Sequence, residues 1–71
     1  MRLFSERLKE ERLHNGLTQK RFSELLGIPL KTYQKYETMS KFQREPDLEL
    51  LVKMATLLNT TTDYLLGKEP V

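Results

Sequence analysis

Glu10-Glu11 is the chain's one pair of adjacent carboxylates. Successive helical residues point in different directions, so the two cannot converge on one substrate atom as general acid and base. The chain has a single histidine, His14, and no cysteine. One imidazole without a thiolate or a second imidazole cannot anchor a metal, whereas a cation at a helix end is mildly favoured. With no nucleophile–base–acid set and no glycine-rich phosphate loop, the residues predict neither an enzyme, nor a cofactor, nor a metal centre.

What the sequence does concentrate is positive charge. Residues 1–19 carry a net +1, residues 20–44 a net +4 and residues 45–71 a net −3. Within the basic middle, Lys31, Thr32, Gln34 and Lys35 make a polar run with no acid until Glu37. Long basic arms on one helical face reach both phosphates and base edges, but on a generic helix the same residues are only solvated surface. The elements that hold them decide between the two.

Phe4, Leu8 and Leu13 recur at helical spacing before Asn15-Gly16, which predicts a helix over about 3–14. Thr18 then offers an N-cap hydroxyl to a short helix with Phe22, Leu25 and Leu26 inward, ended by Gly27. Pro29 lacks an N–H and pushes Ile28 out of the helical region, so it closes one helix and opens the next. In that third helix Tyr33 and Tyr36 are the inward candidates, with Tyr33 also a minor candidate for stacking on a base. Pro46-Asp47 starts a fourth helix with Leu48, Leu51, Met54, Ala55 and Leu58 as its apolar stripe and Asn59 near its end. Thr61 caps a fifth, through Leu66, which Gly67 terminates. No segment alternates with period two, so the class is all-α.

A chain of 71 residues with 38% hydrophobic content has room for one domain, 1–71, with its core over about 4–67. No apolar run approaches the ~18 residues of a membrane span, and the start of the chain lacks a signal-peptide pattern. A soluble, cytoplasmic protein is expected, stabilised by packing and caps rather than by disulfides.

Two helices joined through Gly27-Ile28-Pro29 are what a helix-turn-helix requires, with the second presenting its N-terminal half to the major groove of DNA. "GLTQKRFSELLGI", "TYQKYE" and "REPDLELLVKMATLLNTTTDYLLG" resemble, in that order, the Cro/C1-type (XRE) helix-turn-helix domain of phage and bacterial repressors, over about Phe4 to Gly67. The resemblance implies a compact five-helix, lambda-repressor-like fold. It implies that Gln19 contacts a phosphate and buttresses the N-terminus of the third helix. Leu30, Lys31 and Lys35 would face base edges, with Thr32 and Gln34 beside them for bases or backbone. Arg12 and Glu37 would form a semi-buried ion pair tying the first helix to the end of the third.

The chain departs from that pattern at Ser23, where alanine is usual, at Pro29, where a Ser or Thr cap is common, and at Tyr33, which replaces a smaller Ile or Val. The run from Glu37 to Pro46 is also longer by roughly three residues, which loops tolerate. Lys41 and Arg44 in that run either reach phosphates or only keep the segment soluble. Leu30 either packs on a thymine methyl or simply covers Ile28 or the loop.

The expected partner is double-stranded DNA, as an inverted-repeat operator bound by a homodimer whose interface uses Tyr64, Leu65 and Leu66, with a protein modulator as a further possibility. Two other readings compete: a protein-interaction module of the same fold, such as an antitoxin or anti-repressor, and an amphipathic membrane-surface binder. Against the membrane reading, Glu6, Glu10 and Glu11 intersperse the bases of the first helix.

Overall fold

Every helix of the fold begins or ends on a residue that leaves the helix little choice. The computed structural model describes residues 2–38 and 46–68, in which α1 is Arg2–His14, α2 Gln19–Leu26, α3 Leu30–Glu37, α4 Leu48–Leu57 and α5 Thr62–Leu66. No strand occurs among the described residues. Side chains cap three of the helices by accepting from an otherwise orphaned N–H: Thr18 from Arg21 at 3.0 Å, Asp47 from Leu50 at 2.8 Å and Thr61 from Tyr64 at 3.0 Å.

The joint between α2 and α3 turns on Gly27, whose φ of 74° lies in the left-handed region that a side chain disfavours. There its N–H bonds to Glu24 O at 3.1 Å and the Ile28 N–H bonds to Ser23 O at 3.1 Å, the paired closure of a Schellman turn. Pro29, extended at φ −63° and ψ 146°, then starts α3 with no side-chain cap. Lys53 of α4 supports the joint, its Nζ donating to Leu26 O at 3.2 Å.

Helix α1 packs on α3 and α5, α2 packs on α3 and α4, and α4 packs on α5. The core they enclose comprises Phe4, Leu8, Phe22, Leu26, Tyr33, Tyr36, Leu51, Met54, Ala55, Leu58 and Leu65. Phe22 and Tyr33 meet edge to face, centroids 5.3 Å apart at 86°, which joins the two helices of the motif at their centre.

Three inward expectations need correction. Leu13 is 56% exposed, because the stripe that continues Phe4 and Leu8 at i+4 arrives at Arg12, and Leu13 is turned away from it. Leu48 is 75% exposed in the first turn of α4, and the stripe proper begins at Leu51. Leu25 is half-buried, with Phe22 and Leu26 carrying the contact. The fifth helix brings the opposite case: Leu65, expected at a dimer interface, is 0% exposed and belongs to the core, leaving Tyr64 and Leu66 half-buried beside it.

A Cβ at Gly27 would meet nothing within 4 Å, so substitution there tests backbone conformation alone. Gly27→Ala is expected to lower the unfolding free energy by about 1–2 kcal/mol. Gly27→Asn should cost less, because asparagine tolerates the left-handed region better. Urea denaturation of the three proteins measures the difference.

Candidate nucleic-acid interface

The exposed face of α3 follows from which of its residues the core takes. Tyr33 and Tyr36 are buried, so Leu30, Lys31, Gln34 and Lys35, related by i+3 and i+4 steps, form a stripe along the opposite side. Thr32 flanks it, half-buried. Neither lysine has an ion-pair partner among the described residues. Full burial removes Tyr33 as a stacking platform for bases. Lys41 and Arg44 lie outside the described residues.

What holds this face in place is a polar cluster behind it. Arg12 Nε donates to Glu37 Oε2 at 2.7 Å and Arg12 Nη2 to Glu37 Oε1 at 3.3 Å, with the two side chains 7% and 4% exposed. Arg12 Nη1 also donates to Leu17 O at 2.7 Å, which fixes the chain entering α2. Gln19 Nε2 donates to Glu37 Oε1 at 3.1 Å, and the Tyr33 hydroxyl donates to Glu37 Oε2. Gln34 Nε2 in turn donates to Gln19 Oε1 at 3.2 Å. Gln19 therefore braces the C-terminal half of α3, not its N-terminus: the side chain at the start of α2 is anchored at Glu37 and Gln34.

From α1, buried Ser5 shares its one O–H between Tyr36 O at 3.0 Å and Thr38 O at 3.2 Å, two carbonyls left open at the end of α3. Ser23, where alanine is usual, satisfies its own buried hydroxyl on Lys20 O at 2.7 Å. No buried side-chain nitrogen or oxygen among the described residues lacks a partner.

Sequence reasoning missed Ser5 and the Tyr33 hydroxyl. The second had a signal, because residues 33 and 37 stand at i and i+4 and so face each other on a helix. Ser5 had none, since its partners are main-chain carbonyls more than 30 residues away.

The cluster shifts the ionisation of its members. Burial would raise the Glu37 carboxyl, but the hydrogen bonds from Arg12, Tyr33 and Gln19 outweigh it and hold the group below its ordinary 4.5. Burial, reinforced by the bond to Glu37, drives the Tyr33 phenol well above its ordinary 10.0. The bond to Glu37 likewise raises Arg12, which stays charged.

The sequence model of the helix-turn-helix family matches residues 8–65, from the middle of α1 into α5 and across the whole joint. The chain belongs to the helix-turn-helix family. It is 44% identical over 66 residues to the HTH-type transcriptional regulator ImmR of Bacillus subtilis (strain 168), covering 93% of this chain and 50% of that protein. It is 42% identical over 64 residues to the SPbeta prophage-derived uncharacterized HTH-type transcriptional regulator YonR of the same organism, covering 90% of this chain and 56% of that one. The HTH-type transcriptional regulator AnsR, again of that organism, is 41% identical over 64 residues, covering 90% and 53%. The chain thus spans about half the length of the curated relatives it matches. No solved structure gives a significant match.

Within this helix-turn-helix domain, α2 braces α3 through Gln19. No helix of the described residues is long and apolar enough to cross a membrane.

Removing one partner of a buried ion pair strands the other, so Arg12→Ala is expected to cost about 3–5 kcal/mol of stability. Two pH effects accompany it. The folded Glu37 value is depressed, so its stabilisation is complete above the ordinary carboxylate value and is lost as pH falls through the folded one. The folded Tyr33 value is raised, so its contribution is complete below pH 10.0 and is lost as pH rises beyond it. Denaturation midpoints across pH should decline at both ends, with Glu37→Gln flattening the acid side and Tyr33→Phe the alkaline side.

Proposed function

We propose that this domain binds duplex DNA in a sequence-specific manner as a transcriptional regulator, with α3 in the major groove. The observation that carries the reading is the exposed Leu30, Lys31, Gln34 and Lys35 stripe on a helix braced from behind by α1 and α2. Such a face offers two positive point charges, an amide and an apolar contact at the width of a groove. In this reading Lys31, Lys35 and Leu30 read base edges, Thr32 and Gln34 lie beside them, and Gln19 meets a phosphate through the second hydrogen of Nε2, its first being given to Glu37 and its Oε1 being taken by Gln34. Lys41 and Arg44 join the phosphate contacts. The names of the relatives as HTH-type transcriptional regulators accord with it.

The domain acts as a repressor where its site overlaps that of the polymerase, and does so in the cytoplasm. It functions as a homodimer on an inverted repeat, since one short helix reads few bases and twofold symmetry doubles the contact. The remaining surface of the proposed interface is Tyr64 and Leu66. There Arg7 already covers one face of the Tyr64 ring, with its guanidinium 4.4 Å from the ring centroid, and donates to Tyr64 O at 2.6 Å. Any partner copy would meet the edge of the ring and Leu66.

Selection from a random duplex pool at physiological salt tests the proposal. Enrichment of an inverted repeat with half-site centres ~34 Å apart is the expected result, and no enrichment would shift the reading to a protein partner. On the enriched duplex, Lys31→Ala should weaken binding by ~1–3 kcal/mol and relax preference at one position, as a base contact would. A lysine that meets only phosphate would instead weaken all sequences alike and lower the salt slope by about 1. Unchanged binding in both Lys31→Ala and Lys35→Ala would remove α3 from the interface.

A further inference from the structure

The Glu37 carboxylate is saturated. Its two oxygens offer about four lone-pair sites, and four donors reach them: Arg12 Nε and the Tyr33 hydroxyl at Oε2, Arg12 Nη2 and Gln19 Nε2 at Oε1. A carboxylate held on all four sites cannot turn about its own axis. An ionised carboxylate also only accepts, so the amide that meets it must do so through its nitrogen. Gln19 is thereby oriented with Nε2 inward and Oε1 outward. Its Oε1 in turn accepts only a donor, and Gln34 supplies Nε2 at 3.2 Å. Polarity passes in one direction, from a buried acid through a half-buried amide to an exposed one on α3.

We propose that Tyr33 is a positioning residue for the two surface amides, its hydroxyl locking Glu37 so that Gln19 and Gln34 present a single donor–acceptor sense on the outer face of α3. Tyr33 is itself fully buried and touches nothing outside the domain. It acts through Glu37. Without the hydroxyl, one site on Oε2 opens, the carboxylate can rotate under the Arg12 fork, and Gln19 loses a fixed acceptor. Reversal needs the Gln19 Nε2 bond to the displaced carboxylate to break, because contact with an oxygen that only accepts keeps nitrogen inward; a released amide turns freely, and Gln34, which has no other side-chain anchor among the described residues, turns with it. An amide of mixed sense accepts from or donates to either kind of base edge and so discriminates less between them. The inference rests on the DNA-binding reading of this face, but its structural half can be judged without DNA.

Tyr33→Phe keeps the ring that packs edge-on against Phe22 and deletes only the hydroxyl. In the DNA-free protein, the side-chain amide resonances of Gln19 and Gln34 are expected to move toward the positions of unbonded glutamine, and Glu37→Gln should move the same resonances. Leu51→Val, a core change on α4, should leave them in place, which separates positioning from loss of stability. On a duplex enriched from a random pool, Tyr33→Phe should lower the ratio of selected to random binding by roughly tenfold, with affinity for random duplex unchanged.

Unmoved Gln19 and Gln34 amide resonances in Tyr33→Phe would overturn the proposal. Gln34→Ala, an exposed change that leaves Glu37's four donors intact, gives a second judgement should Tyr33→Phe not fold. Gln19 loses a bond at Oε1 there and its shifts move, but the Nε2 protons it donates to Glu37 must stay protected from solvent exchange; loss of that protection would show that order runs inward from the surface and would overturn the proposal equally. If the wild-type protein enriches no sequence, the DNA-binding reading falls, and the amide resonances still decide whether Tyr33 sets the sense of the pair.

Discussion

A single buried carboxylate organises this domain. Glu37 sits at the last turn of α3 and receives Arg12 from α1, Gln19 from the start of α2 and Tyr33 from its own helix. Desolvating a charge is expensive, and a buried ion pair need not stabilise a fold more than an apolar replacement would. What such a pair does enforce is geometry: the charge is tolerable only where every donor arrives, so α1, α2 and α3 must adopt one relative arrangement. Ser5 adds to this from α1 by holding the carbonyls at the end of α3.

The apolar core alone would leave more freedom. Leucine and phenylalanine contacts are non-directional, and cores tolerate considerable repacking while volume is kept. A small slide or rotation of α3 on α2 would cost little in buried area, yet would carry the lysines several ångströms from their place. The edge-on contact of Tyr33 with Phe22 and the hydrogen bonds around Glu37 are directional, and they convert a loosely specified packing into a fixed pose. The exposed stripe of α3 is useful to a rigid partner such as duplex DNA only in a fixed pose.

The same logic accounts for Tyr33 and Ser23, where the chain departs from the pattern it resembles. A tyrosine in place of a smaller aliphatic residue brings a buried hydroxyl, which needs an acceptor, and Glu37 at i+4 is the nearest one. A serine in place of alanine brings another, which its own helix satisfies at Lys20 O. Pro29 replaces a capping side chain and offers none, so the first turn of α3 depends on the proline's preset backbone and on the Gly27 joint before it.

The helices were legible from the chain because their signals are local. Thr18, Asp47 and Thr61 each cap the residue three positions on, and Gly27 and Gly67 relieve a steric conflict within their own residue. Such signals need no tertiary contact, and they sufficed for five helices, the joint and the basic run. Burial at the margins was not legible. Leu13 and Leu48 fit an apolar period but stand outside the core, and Leu65 fits a surface role but lies within it, because what covers a helical face is set by the other helices. Arg12 stands between the two: the family resemblance implied its semi-buried pairing with Glu37, whereas the apolar period of α1 does not reveal that the inward position at the i+4 step after Leu8 belongs to a charge. The sequence alone determined the elements and their charge. Tertiary structure decided that Gln19 and Tyr33 join Arg12 on the buried carboxylate, since hydrogen-bond partners at long range depend on how the helices dock and leave no period in the chain.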